Sequence, residues 1–458
     1  MKVIVCGAGL VGGNIARYLS GAGNDVIVVD QNPELTQRMS ENLDIKAVLG
    51  FASHPEILEL AGAEDADILI AVTQADEVNM VACQVGHSLF QIPTKIARIR
   101  HQGYRLGRFA NLFSRENMPI DHIISPEVEV ARAITRRLEV PGATEVIPFC
   151  DDLVRVIGLR CHENCPVLDT PLRQLTYLFP ELHLICTGIV RGDRLFVPHG
   201  DDRLIAGDEV YFVAETTHVP RAMPAFGHEE TPARRVLILG SGNIGLFLAH
   251  ELEDAEHDVA IKMIESDSTR GAFVADRLHN GIVLHGDARD PELLAEANVR
   301  AMDAVVALTN NDDVNVMGSL LAKKLGANQA LALVNNQAYG SLASSLGIDV
   351  VINPRETTVS SVLRHVRRGR IRSVFSIRDG EAEIFEAEAL ETSPLVGKPL
   401  REAGLPPGLA IGAIVREGQV IVPRGGTQVR PNDRVVVMAQ AGAVKKVEKL
   451  FAVRFDFF

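Results

Sequence analysis

The sequence predicts an α/β fold in which two parallel-sheet domains are each followed by a small α+β module. Three observations carry that prediction. Glycines spaced G-x-G-x-x-G follow an apolar run twice, at Gly7, Gly9 and Gly12 and again at Gly240, Gly242 and Gly245. After each of them, short apolar runs alternate with helical patterns, as βαβ crossovers and a sheet buried on both faces require. Further on, "GIVRGDRLFVPHGDDRLIAGDEVYFVA" at 188–214 runs parallel to "AIVREGQVIVPRGGTQVRPNDRVVVMA" at 413–439, at nearly the offset that separates the glycines. An offset held across two unlike blocks means that a pair of domains was duplicated as one unit.

In the first half the strand-like runs are 2–6, "DVIVVD" at 25–30, 47–49, "DILIAV" at 67–72 and "KIARIR" at 95–100. The second half repeats them as "RVLIL", "DVAIKMIE", "IVLH", "DAVVAL" and "ALALV". A helix then leads out of each sheet, over "SPEVEVARAITRRLEV" (125–140) and "NPRETTVSSVLRHVRRG" (353–369). Beyond it, short runs alternate with period two around Gly-rich turns, which predicts a β-rich module with a flanking helix or two. Pro220, Pro224 and Pro232 interrupt 216–235, which reads as a linker. The expected divisions are 1–124 and 234–353 for two Rossmann-like domains, 125–216 and 354–458 for the small modules, and 217–233 for the linker.

Composition narrows the function. The chain has 458 residues, enough for about two to four domains. A net charge of -13 argues against a nucleic-acid partner, because phosphate backbones are bound through an excess of Lys and Arg. No window approaches the ~20 apolar residues of a membrane span, so a cytoplasmic location is expected, with a membrane protein still open as partner. Six cysteines in so long a chain do not make a disulfide framework. "CHENC" at 161–165 lacks the C-x-x-C spacing and a second ligand pair, so an ordinary turn is favoured over a metal site. His54, His87, His101 and His122 stand singly on different elements, and no catalytic constellation is expected.

The glycine loops carry the chemistry. In Gly7-Ala8-Gly9-Leu10-Val11-Gly12, the first glycine permits a tight turn, the second lets backbone amides approach a pyrophosphate, and the third allows close helix–strand packing. A helix starting near Leu10 points its positive end at the phosphates. Asp30 ends the second strand, where a carboxylate accepts hydrogen bonds from the ribose hydroxyls and repels a 2′-phosphate. Gly240-Ser241-Gly242-Asn243-Ile244-Gly245 and Glu265 repeat this arrangement. Asp287 after the third strand is replaced by Phe51 in the first half, so the two sites are expected to differ. Thr73 and Thr309 end the fourth strands at the carboxyl edge, where they either face a ligand or make a turn and helix cap with Asp76 or Asp312 beyond. Arg98 and Arg100 alternate outward near the same edge, within reach of a phosphate or simply as surface charge, and the second half has neither.

With the duplicated GAGLVGG…Asp30 and GSGNIG…Glu265 cradles, the "AVT…DE.N" strand ends and the "LPPGLAIGAIVREGQVIVPRGGTQVRPND" module at 405–433, the whole chain resembles the tandem RCK (regulator of potassium conductance) family of bacterial Trk potassium-uptake regulators. The resemblance implies RCK N-terminal and C-terminal domains in alternation. It also implies a non-enzymatic, peripheral subunit on the inner face of the membrane, in a ring that is a homotetramer beneath a potassium-translocating membrane subunit. Gly7, Gly9, Gly12 and Asp30 would hold NAD(H), with ATP or ADP as alternative, and Gly240, Gly242, Gly245 and Glu265 a second nucleotide. The alternatives left open by the residues are an NAD-dependent oxidoreductase and a regulator of another cation transporter.

Overall fold

Short runs of Val, Ile, Leu and Ala suit strands of a sheet covered on both faces. In the computed structural model, which describes residues 1–105, 107–178, 183–192, 194–254, 259–366 and 371–451, two such sheets form. The first holds β1 (Lys2–Cys6), β2 (Asp25–Asp30), β3 (Lys46–Leu49), β4 (Ile68–Ala71), β5 (Thr94–Arg98) and β6 (His122–Ile124). Its order is β3-β2-β1-β4-β5-β6, all parallel. Helices α1 (Leu10–Gly21), α2 (Pro33–Asn42), α3 (Pro55–Leu60) and α4 (Asp76–Ser88) make the crossovers. The order reverses between β1 and β4, the switch point at which such sheets open a crevice at their carboxyl edge.

Helix α5 (Pro126–Glu139) follows, and a five-stranded antiparallel sheet comes next. It comprises β7 (Ala143–Phe149), β8 (Val154–Arg160), β9 (Leu184–Arg191), β10 (Arg194–Phe196) and β11 (Glu209–Glu215), in the order β10-β9-β11-β8-β7. Two short helices, α6 (Leu172–Leu178) and α7 (Val219–Ala222), flank it.

The second half repeats the plan. Strands β12 (Arg235–Leu239), β13 (Ala260–Glu265), β14 (Ile282–His285), β15 (Ala304–Ala307), β16 (Gln329–Leu333) and β17 (Val350–Ile352) order as β14-β13-β12-β15-β16-β17. Helices α8 (Asn243–Glu253), α9 (Ser268–Ala275), α10 (Pro291–Glu296), α11 (Asp312–Lys324) and α12 (Gln337–Ser345) accompany them, and α13 (Pro354–Val366) follows in sequence. The last sheet, β18 (Ile371–Ile377), β19 (Ala382–Glu388), β20 (Leu409–Arg416), β21 (Gln419–Ile421) and β22 (Arg434–Gln440), orders as β18-β19-β22-β20-β21, and α14 (Val444–Phe451) closes it. The fold is therefore two Rossmann-like parallel-sheet domains, each followed by an antiparallel module.

The described chain divides into two compact units, Met1–Glu129 with Arg355–Val366, and the remainder. The helices leading out of the sheets end up in unexpected company. Val130, Ala131, Ile134 and Leu138 of α5 line one helical face and bury in the core of the second parallel sheet, with Val236, Ile238, Leu331 and Ile352. Burying a Val, Ile or Leu side chain stabilises by roughly 1.5–3 kcal/mol, so this stretch of the helix is held to that sheet. Helix α13 belongs to the unit of the first sheet, where its His365 ring stacks on His122 with centroids 3.6 Å apart. Of the 353–369 helix expected from sequence, 367–369 lie outside the described residues.

A correction concerns the linker. Residues 219–226 form short helical turns whose Val219, Ala222, Met223, Ala225 and Phe226 sit in the core of the first antiparallel module. Pro220 and Pro224 lie in the first turns of those helices, where a missing N–H costs nothing, so they start structure instead of breaking it. The two antiparallel modules also share a core, in which Phe149, Val156 and Val213 of the first meet Ile384, Val436 and Met438 of the second. The "GD" and "ND" turns have a structural task in both. Asp208 and Asp433, each 1% exposed, take Arg191 and Arg416 in two-pronged pairs at 2.7–2.9 Å.

Candidate nucleotide-binding sites

At the first switch point β1 ends at Cys6, the chain turns at Gly7 with φ of 109°, and α1 starts at Leu10. A Cβ on Gly12 would stand 1.8 Å from the carbonyl oxygen of Gly7, so strand and helix approach at a distance only glycine allows. A Cβ on Gly9 would meet nothing within 4 Å, and the loop is open on that side. No side chain caps α1 or α8, and neither carries an acidic residue in its first turn. By contrast α2, α9, α10 and α11 are capped by Asn32, Asp267, Asp290 and Asn311, and α3 and α4, also without a side-chain cap, carry acidic residues in their first turns. Uncapped amides beside open glycines suit a phosphate. Leu10 is exposed and Val11 half-buried at this opening; at the second, Asn243 is exposed and Ile244 half-buried.

Asp30, at the end of β2, stands beside the loop. Its Oδ2 accepts the Ala8 amide at 2.6 Å and its Oδ1 the Asn32 amide at 2.8 Å, so the glycine loop itself aims the carboxylate. Each oxygen keeps a lone pair for a ribose hydroxyl. In the second half Gly240 turns with φ of 99° and Gly245 packs against it, its Cβ position 2.2 Å from the Gly240 oxygen. Glu265 reaches back to the Ser241 amide at 2.8 Å and to its hydroxyl at 2.7 Å. Burial pushes the Glu265 carboxyl up, but hydrogen bonds from the Asp267 amide, the Ser241 hydroxyl and amide and the Ser266 amide outweigh it and hold the group below its ordinary value. Arg270 lies across the same loop, its Nε donating to the Ser241 carbonyl at 2.8 Å.

The remaining candidates take individual positions. The Thr73 hydroxyl turns inward and donates to Asn79 Oδ1 at 2.7 Å; Thr309 does the same to Asn315. Asn79 and Asn315, both fully buried, also donate to the carbonyls of Arg98 and Leu333. These asparagines thus tie the fourth strand's end to the fifth, a role that the sequence pattern "DE.N" contained without revealing. Asp76 and Asp312 do not cap the following helices. They accept the amides of Arg100 and His101 and of Asn335 and Asn336.

Arg98 and Arg100 converge on Glu127 in the first turn of α5, with Arg98 Nη2 at 2.8 Å and Arg100 Nε at 3.9 Å. Burial, then the neighbouring Arg98, lowers the Arg100 pKa, as two like charges at one edge should. Glu127 was not legible as a partner, being 29 residues from Arg98. Asp287 is held by its own neighbour, Arg289, in a two-pronged pair that brings its pKa down to about 2. Phe51, the first-half counterpart, is half exposed and stacks loosely on His54. Among the described residues no group of three or more His, Cys, Asp or Glu is placed to hold a metal, and no helix is long and apolar enough to cross a membrane.

Comparison with known proteins agrees with this anatomy. The TrkA-N domain family matches residues 3–126 and 236–354, and the TrkA-C domain family matches 156–227 and 384–452. Relatives named Trk system potassium uptake protein TrkA are 52% identical over 458 residues in Azorhizobium caulinodans and 41% identical over 462 residues in Halomonas elongata, each alignment covering 100% of both chains. A third, from Vibrio alginolyticus, is 40% identical over 455 residues and 98% of both chains. Among solved structures, the GsuK RCK domain matches with a TM-score of 0.61 over 99% of this chain and 95% of its own, at 17% identity. The GsuK channel bound to NAD matches with a TM-score of 0.60 over 99% of this chain and 79% of its own, also at 17% identity. At that identity the likeness concerns the fold.

Proposed function

Because the chain belongs to the TrkA family, we propose that it is a nucleotide-sensing regulatory subunit of a potassium-uptake system, with no enzymatic activity of its own. The observation that carries this reading is the pair of glycine cradles, each with an open second glycine, an uncapped helix and a carboxylate aimed by the loop. The residues fit NAD(H), or ATP and ADP, through the adenosine ribose and the phosphates they share. Gly7 to Gly12 with Asp30 form one site and Gly240 to Gly245 with Glu265 the other. A 2′-phosphate would meet the Asp30 carboxylate, so NADP is disfavoured.

The chain assembles as a homotetrameric ring on the cytoplasmic face of a potassium-translocating membrane subunit, and the ligand gates uptake by rearranging the ring. Such a device needs a ligand with different affinities for two ring states. Arg98 and Arg100 supply a source of difference. Both pair with Glu127 where β5 ends, and a triphosphate offers them more anionic oxygens than the pyrophosphate of NADH does. ATP and NADH should therefore favour different ring conformations; identical small-angle scattering profiles with either ligand would remove this role from the arginines.

The decisive experiment is co-purification with a potassium-transport membrane subunit, with and without ATP or NADH. Nucleotide-sensitive association is expected, and a chain that instead turns over NADH with a small-molecule substrate would be an oxidoreductase. At residue level, Asp30→Ala should weaken ADP binding at the first cradle by about 10- to 100-fold, since hydrogen bonds to a charged acceptor contribute ~1.5–3 kcal/mol. Unchanged calorimetric titration would refute the assignment of Asp30.

A further inference from the structure

The two cradles differ where their acidic residues meet the glycine loop. Asp30 accepts one protein donor on each oxygen, the Ala8 and Asn32 amides, out of about four lone-pair sites that a carboxylate offers. Glu265 is saturated. Its Oε2 takes both the amide and the hydroxyl of Ser241, at 2.8 and 2.7 Å, and its Oε1 takes the Asp267 amide at 3.0 Å and the Ser266 hydroxyl at 3.4 Å. Ser241 is fully buried, and Arg270 Nε fixes its carbonyl from the other side at 2.8 Å. Its hydroxyl therefore has no water to turn to if it leaves Glu265, and loses its partner outright. The corresponding residue of the first loop, Ala8, has no hydroxyl.

We propose that Ser241 sets the affinity difference between the two cradles. Its hydroxyl occupies on Glu265 an acceptor site that Asp30 keeps for a ribose hydroxyl, so the second cradle binds adenosine nucleotides more weakly than the first. A ribose diol entering the second cradle displaces a hydrogen bond to a charged acceptor before making its own, and the exchange yields little. The same carboxylate, already sharing its charge among several donors, is also the poorer acceptor. This inference rests on the reading of both loops as nucleotide sites and names what distinguishes them.

The test is calorimetric titration of the full chain with ADP. In an Asp30→Ala background, which weakens the first cradle, adding Ser241→Ala should tighten binding at the second by roughly five- to tenfold, the scale of one net hydrogen bond. The reciprocal Ala8→Ser in the otherwise native chain should weaken the first cradle by a similar factor. A gain of binding cannot come from misfolding, and Ala8→Ser provides an answer even if the double variant folds poorly. If ADP binds the native chain but neither substitution moves the affinity in the stated direction, the role of Ser241 is overturned and the nucleotide reading stands. If the native chain takes up no nucleotide at all, it is the reading of the cradles that fails.

Discussion

Replacing Gly12 by alanine should destroy the first cradle through the fold itself, whereas replacing Gly9 should impair it only through the ligand. The Gly12 Cβ would lie 1.8 Å from the Gly7 carbonyl oxygen, with Val72 Cγ2 at 3.2 Å on the other side. Neither neighbour is free to give way. The Gly7 amide is bonded to Val29 at 2.7 Å, and β1 is clamped between β2 and β4. Forcing an extra methyl into packed surroundings costs typically 1–3 kcal/mol, and here the obstacle is backbone, so a loss at or above the top of that range is expected. Gly12→Ala should show a clearly lowered melting temperature together with loss of ADP titration at the first site. Gly9→Ala should melt as the native chain does and lose nucleotide affinity alone, because its Cβ meets only open space. Equal melting temperatures for the two variants would contradict the packing described for this turn.

The same contrast separates what is local in the sequence from what only the fold assembles. The glycine loops and Asp30 or Glu265 are legible because one turn and the strand beside it fix their geometry within about twenty residues. Where the helices leading out of the sheets would dock was not legible. The apolar face of α5, with Val130, Ile134 and Leu138, says that something must cover it, and periodicity alone does not say which sheet. The sixth strands, His122–Ile124 and Val350–Ile352, are three residues long and fell below any pattern. Phe226 and Val219 read as linker because proline usually breaks regular structure, whereas in a helix's first turn it is a start. Contacts between groups distant in sequence, Arg98 with Glu127 or the fully buried Asn79 with the Arg98 carbonyl, needed the fold to bring them together.

A second large loss is expected from Arg434→Ala, in the shared core of the two antiparallel modules. Arg434 on β22 puts Nε and Nη2 on Glu386 Oε1 at 2.8 and 2.7 Å, and Nη1 on Asp151 of the first module at 2.6 Å. The two acidic partners are not equivalent. Asp151 is largely exposed, and a pair of that kind is worth at most about 1 kcal/mol. Glu386 is 2% exposed, and its other oxygen accepts the Cys150 amide at 2.9 Å, so it bridges the modules from a buried position. Removing the arginine leaves that carboxylate with one amide and no counter-charge, a situation that costs about 3–5 kcal/mol. Chemical denaturation of the full chain should register a loss of this size, and Asp151→Ala a loss several-fold smaller. Converting both partners, Arg434→Met with Glu386→Met, should recover part of it, because the unpaired charge is gone while the Cys150 amide is left without its acceptor. ADP affinity should be unchanged in all three variants, since none of these residues touches a glycine loop.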